Sequence, residues 1–254
     1  MRQGSMSGRK VLITGASSGL GEHFGELYAR AGADIALAAR RIDRLQTVAR
    51  RIEDMGVRAV AVEMDVADEA SVIAAYDAAE AELGPIDTVI ANAGTGRAAP
   101  AVDFSLADYD ALFDINVRGV FLTAREGARR MIGAGARNGR IVLISSIGGL
   151  TLLPGLTFYC AGKAAVVMLG QGLAREWSDV GIAVNVVCPG YIMTEMTAPW
   201  AQSDAGKRQI ASFPRGRLME ASDLDPIMLH LASDSAAGVT GSVFKIDDGQ
   251  TLPT

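Results

Sequence analysis

The sequence predicts an α/β fold, one doubly wound parallel sheet of about seven strands with helices on both faces. Three observations predict it. Short apolar runs alternate with helical patterns along the whole chain. Such predominantly apolar runs between helices suit a parallel sheet covered on both faces. No repeat, low-complexity tract or linker-like shift divides the 254 residues, so one domain is the economical reading.

The first strand is the run Val11, Leu12, Ile13. A turn holding Gly15, Gly19 and Gly21 leads from it into a helix that reaches Arg30, where Ala31 and Gly32 close it. A second strand covers 35–39, and a second helix covers 42–55 and stops at Gly56. A third strand at 59–62 precedes a third helix at 69–83, and 86–91 is the fourth strand. Residues 106–132 are helical, in one piece or two, and 141–145 is the fifth strand. A long helix at 158–180, a strand at 182–187, a helix at 222–232 and a last strand at 243–246 complete the pattern.

One stretch, 191–217, breaks the rhythm. It follows a strand end and carries Met193, Met196, Trp200 and Phe213 among polar residues. Ligands of open α/β sheets sit outside the carboxyl ends of strands, so a flexible substrate lid is expected here. A surface helix packed on the core is the plainer alternative.

Composition excludes several functions. The net charge is −5 with no basic block, which argues against nucleic acid and a polybasic membrane contact. No apolar run has the length of a membrane span, and 1–9 reads as a polar leader or tail, with Met6 an alternative start after Met1 to Ser5. Cys160 and Cys188 are far apart, so a reducing cytoplasm is the simple reading. His23 and His230 stand alone, and no metal site is expected.

Gly15, Gly19 and Gly21 sit between strand and helix, where backbone must approach a pyrophosphate at the helix N-terminus; Ser17, Ser18 and Leu20 share that turn. A tight turn without ligand would look similar. Dinucleotide sites place a carboxylate at the end of the second strand, but here stand Ala39, Arg40 and Arg41. An arginine fork suits a 2′-phosphate, which points to NADP(H) over NAD(H), with NAD(H) possible. A solvated basic loop is the alternative. Asp34 is too early for this role, and Asp43 falls in the next helix. Asp65, followed by Val66, is placed to meet an adenine edge or to cap the third helix.

Asn92, Ala93 and Gly94 end the fourth strand, where small residues let backbone pass close to a cofactor, and Asn92 fixes local geometry. Ser145 and Ser146 end the fifth, well placed to hold a carbonyl oxygen. Asn116 lies inside a helix and needs either a water relay or a local backbone bond. Tyr159 and Lys163, four apart on a helix, share one face, and an ammonium beside a phenol favours the phenolate. Alone, such a pair is common on surfaces.

Together these motifs resemble the single-domain short-chain dehydrogenase/reductase family over residues 10–249, in the family's order and spacing. The resemblance implies a Rossmann-type fold and an NADP(H)-dependent oxidoreductase interconverting a small-molecule carbonyl and a secondary alcohol. It selects Ser146, thirteen positions before Tyr159, over Ser145, and assigns Asn116, Ser146, Tyr159 and Lys163 to catalysis. Lys163 would lower the tyrosine and bind the ribose, while Asn116 would hold a water. Pro189, Gly190, Ile192 and Thr194 would complete the cofactor site with the residues already named. A homotetramer, or a homodimer, is implied through the long helices. Departures are Cys160 and Gly162 between Tyr159 and Lys163, and Gln250 after Asp248 and Gly249 where a second glycine is usual. An epimerase or dehydratase on the same scaffold and a non-catalytic NADP(H)-binding regulator are the rival readings. Tyr191, Leu153, Phe158, Met193 and Trp200 are the residues expected around a substrate.

Overall fold

The computed structural model describes residues 6–195 and 197–252. Among them seven parallel strands form one sheet in the order β3-β2-β1-β4-β5-β6-β7. The first half comprises β1 (Lys10–Thr14), α1 (Gly19–Arg30), β2 (Asp34–Ala39), α2 (Ile42–Glu53), β3 (Ala59–Glu63), α3 (Glu69–Leu83) and β4 (Thr88–Ala91). Next come α4 (Leu106–Phe113), one π turn (Asp114–Arg118), α5 (Gly119–Gly133), β5 (Gly139–Ile144), α6 (Thr157–Trp177) and β6 (Ile182–Pro189). The chain closes with α7 (Ala198–Gln202), α8 (Asp204–Ser212), α9 (Asp225–Ala232) and β7 (Val243–Ile246).

Successive strand residues point to opposite faces, so each strand feeds two cores. Val11 and Ile13 join Ile35, Leu37, Ile90 and Val187 under α1, α2 and α9, where Phe24, Leu45 and Met228 are buried. Leu12 faces the other way, with Ala36, Val89, Leu143 and Val186 against Tyr76, Ala124 and Val166 of α3, α5 and α6. The direction of winding reverses between β1 and β4, which opens a crevice at their carboxyl ends. Helix α6 rides directly on β6: a Cβ on Gly170 would lie 2.3 Å from Val186 Cγ2.

Residues 106–132 take the two-piece alternative, two α-helices joined by the π turn, within which buried Asn116 bonds to the loop at Thr95. Several expectations needed correction. Cap chemistry sets the helix starts. Asp68, not Asp65, caps α3, accepting from Ala70 N at 3.0 Å, and Ser105 caps α4. The supposed flexible insertion carries α7 and α8, with Ser203 capping the latter. Residues 6–9 are no tail: Met6 is buried in the core, and Arg9 donates to Asp87 and to the Asn138 carbonyl. The leader at 1–5 and Met196 lie outside the described residues.

Candidate active site

A cleft with a cavity volume of ≈ 410 Å³ runs along the carboxyl ends of β1, β4, β5 and β6. It gathers Gly15, Ser17, Ser18, Gly19, Leu20, Arg40, Arg41, Asp65, Val66, Asn92, Ala93 and Gly94 at one end. Ser146, Tyr159, Lys163, Pro189, Gly190, Ile192 and Thr194 line the remainder. Two expected residues, Gly21 and Asn116, stand behind this lining. Thr95, Ile115, Glu195 and Thr197 line it too and were missed. Thr95 directly follows Gly94, and Glu195 follows Thr194, so adjacency was the one available signal.

The glycine-rich turn is packed too closely at Gly15 and Gly21 for side chains. A Cβ on Gly21 would lie 2.5 Å from the Gly15 carbonyl oxygen and 2.7 Å from Asn92 Nδ2, while Gly15 itself has φ 68°. Thr14 ties this turn to β4: its hydroxyl accepts from Asn92 N and Ala93 N, both at 3.1 Å, and Asn92 Nδ2 donates to its carbonyl at 2.9 Å. Asn92 therefore sets strand-end geometry, as expected.

At the end of β2, Arg41 reaches back over the turn. Its Nε and Nη2 donate to Ser17 Oγ at 3.1 and 2.9 Å, and Nη2 also donates to Ser18 Oγ at 2.8 Å. Arg40 is exposed beside it. Asp34 is at the opposite end of β2, bonded to Arg58. Asp65 faces the cleft while accepting from Ala67 N at 3.0 Å.

At the other end of the cleft, Ser145 and Ser146 separate by function. Ser145 Oγ donates to the Lys163 carbonyl at 2.8 Å and fastens α6 to β5. Ser146 Oγ accepts from Gly148 N at 3.0 Å and stands beside Tyr159, whose ionisation it favours. Lys163 Nζ donates to the Ile144 carbonyl at 3.0 Å and lies 5.8 Å from the Tyr159 ring centre. Burial pushes the Lys163 ammonium down to about 8. The half-buried Tyr159 hydroxyl is pushed up by burial, with Ser146 opposing. The Lys163 ammonium is turned to the Ile144 carbonyl and is not among the groups that move Tyr159 here. Asn116 Oδ1 accepts from Thr95 N and its Nδ2 donates to Thr95 O, both at 2.8 Å, so its side chain positions the loop at Thr95.

The two departures inside the Tyr159–Lys163 turn are structural. Cys160 is buried against Ile147 and Leu153, and its sulfur accepts from Leu153 N at 3.4 Å. Gly162 faces Leu112 and Val117, not the cleft, so it gives no ligand closer access. Around the mouth, Tyr191 and Leu153 pack beside Tyr159, and Tyr191 stacks on Trp200 at 4.8 Å. Phe158 instead joins Phe104 and Tyr109.

The sequence model described as short chain dehydrogenase matches residues 9–205. A gluconate 5-dehydrogenase of Gluconobacter oxydans is 36% identical over 249 residues, covering 98% of this chain and 96% of the relative. A short-chain type dehydrogenase/reductase from Mycobacterium marinum superposes with a TM-score of 0.93 at 38% identity, over 99% of this chain and 98% of the other. A gluconate 5-dehydrogenase from Burkholderia cenocepacia, solved with NADP and tartrate, gives 0.94 at 35% identity over 99% and 98%.

Proposed function

The chain belongs to the short-chain dehydrogenase family, and from that premise we propose that Ser146, Tyr159 and Lys163 carry its carbonyl–alcohol chemistry. The protein is an NADP(H)-dependent oxidoreductase acting on CH–OH groups. The observation that carries the residue assignment is the convergence of these three side chains in one cleft with the glycine cradle.

The cradle fits a dinucleotide. Gly15 and Gly19 line the cleft at the N-terminus of α1, where free N–H groups favour a pyrophosphate, while Gly21 lets the helix pack onto the Gly15 carbonyl. Arg41 and Arg40 fit a 2′-phosphate, and Asp65 with Val66 flank the adenine end. Asn92, Ala93, Gly94, Pro189, Gly190, Ile192 and Thr194 would hold the nicotinamide half. When bound, NADP(H) supplies or accepts the hydride.

The chain's own groups do the rest. Ser146 donates a hydrogen bond to the substrate carbonyl oxygen, and Tyr159 gives that oxygen its proton on reduction or removes it on oxidation. Lys163, depressed by burial, exchanges a proton near neutral pH and replenishes the tyrosine. Asn116 holds Thr95 and so the cleft wall. Tyr159→Phe is expected to abolish NADPH oxidation at 340 nm against a carbonyl panel while NADPH still binds by fluorescence titration. Near-native turnover in that variant would reject the assignment.

We also infer one catalytic domain over 10–254, with 191–217 as substrate lid, in a cytoplasmic homotetramer. Two buried free thiols support the reducing compartment. An apolar cleft of ≈ 480 Å³ between the π turn, α5 and α6, lined by Phe113, Val117, Phe121 and Leu169, supports self-association. Light scattering after size exclusion tests it: a monomer would reject the assembly.

A further inference from the structure

Both ends of the lid are fastened to one short turn. At its start, Tyr191 N donates to Gln250 Oε1 at 2.6 Å, and Gln250 Nε2 donates back to the Tyr191 carbonyl at 3.1 Å. At its far end, Arg217 Nε lies 2.9 Å from Asp248 Oδ2, and Arg215 Nη1 lies 3.1 Å from Asp248 Oδ1. The turn is preformed: Gln250 N donates to Asp247 O at 2.8 Å, Gly249 N donates to Asp247 Oδ1 at 3.2 Å, and Asp248 has φ 52°. Gln250 lies flat along the strand exit, where a Cβ on Gly190 would come within 2.4 Å of its Oε1.

What this amide holds is an aromatic wall. The Tyr191 ring stacks on Trp200 at 4.8 Å and Phe213 at 5.6 Å, and its hydroxyl accepts from Gln209 Nε2 at 3.3 Å. The same side chain packs against Ile147, Leu153 and Cys160, alongside Tyr159. The direction Tyr191 takes therefore decides how much room a carbonyl substrate finds next to the proton donor.

We propose that Gln250 is a positioning residue for substrate recognition: its side-chain amide pins the backbone of Tyr191 and so sets the Tyr191–Trp200–Phe213 wall of the carbonyl pocket. The proposal rests on the reading of Tyr159 as proton donor, but its first test needs no substrate. Two backbone-directed hydrogen bonds shift the ratio of pinned to released wall by roughly tenfold or more. The glutamine fills a place where a glycine would satisfy the turn alone, so its side chain is spent on the lid.

The chain has two tryptophans, Trp177 and Trp200, so Trp177→Phe leaves Trp200 as the one indole reporter. In that background, Gln250→Gly is expected to raise acrylamide quenching of Trp200 about twofold or more, as a released wall lets water reach it. Gln250→Glu keeps an acceptor for Tyr191 N and loses the donor to its carbonyl, and is expected between the two. Thr251→Ala weakens the same turn by removing a bond to Asp247 without touching Tyr191. It is expected to lower the Tm while leaving Trp200 quenching at the parent level. With the carbonyl turned over best, Gln250→Gly should raise KM by a larger factor than it lowers kcat, at unchanged NADPH affinity. Parent-like quenching and KM in Gln250→Gly, or equal quenching in Thr251→Ala, would overturn the proposal. If no carbonyl is turned over, the assignment of Tyr159 fails, whereas the quenching result still decides the role of Gln250.

Discussion

Replacing Arg41 by alanine separates the two cofactors. Arg41 already spends Nε and Nη2 on Ser17 and Ser18 through contacts of 2.8 to 3.1 Å. A 2′-phosphate reaching this place would exchange neutral hydroxyl partners for charged oxygens. Hydrogen bonds to charged groups are worth about 1.5–3 kcal/mol each, against about 1 kcal/mol for neutral ones. A two-pronged contact thus gains about 1–4 kcal/mol, which is roughly 5- to 1,000-fold in Kd. NADH has no such phosphate, so its loss should stay within about threefold, the scale of a single weak contact. Fluorescence titration of NADPH and NADH against the parent, Arg40→Ala and Arg41→Ala measures all six constants. Both arginines are exposed, but Arg41 is fixed over the turn by Ser17 and Ser18, so its removal should cost NADPH more than removal of Arg40. Equal weakening of both cofactors by Arg41→Ala would refute the reasoning, as would loss of preference in Arg40→Ala alone.

Lys163 predicts a pH effect on the stability of the protein measured without cofactor. Its folded value of about 8 lies below the ordinary 10.5, so the unfolded chain binds more protons between them, and stability rises with pH in that interval. Tyr159 and Cys188, both pushed up by burial, oppose this from about pH 9, which leaves pH 8 to 9 as the clear window. Urea unfolding should gain about 1 kcal/mol across it, and Lys163→Met should flatten the rise; an unchanged slope would count against the buried ammonium. Gly162→Ala should stabilise by about 0.5–1 kcal/mol, because its Cβ would meet Leu112 and Val117 at an ordinary 3.5 and 3.6 Å; a lower Tm would contradict this packing. Gly21→Ala should do the reverse, costing about 1–3 kcal/mol and the thermal shift on NADPH addition, since its Cβ would press on the Gly15 carbonyl at 2.5 Å.

Most of the sheet was legible because its strands are short, mainly apolar runs set between helical patterns. Helix α3 and strand β7 lie where the pattern placed them. The cleft was legible because its residues cluster at strand ends, and the turn from Gly15 to Gly21 precedes a helix. Orientation was not legible. Nothing in the order of residues says that Lys163 turns to the Ile144 carbonyl or that Asn116 is spent on Thr95, since both partners are backbone groups that every residue carries. The π turn was hidden in the same way: the Asn116 within it is bonded across 21 positions. Helices α7 and α8 are short, and their aromatic residues face Tyr191 instead of a regular core, so no periodic stripe announces them.

The close approach of Gly170 to Val186 gives the catalytic helix a fulcrum. Tyr159 sits eleven residues up α6 from that point, a lever arm of about 16 Å at 1.5 Å per residue. A tilt of only about 4° about the fulcrum displaces the hydroxyl by about 1 Å, enough to cost on the order of 10²-fold in rate. Bare backbone against a β-branched neighbour leaves no side chain to repack, so the tilt has little play. On the proposed reading of Tyr159 and of 191–217 as lid, room for a substrate is set at the lid, while the angle of α6 is the fixed reference for the reacting atoms.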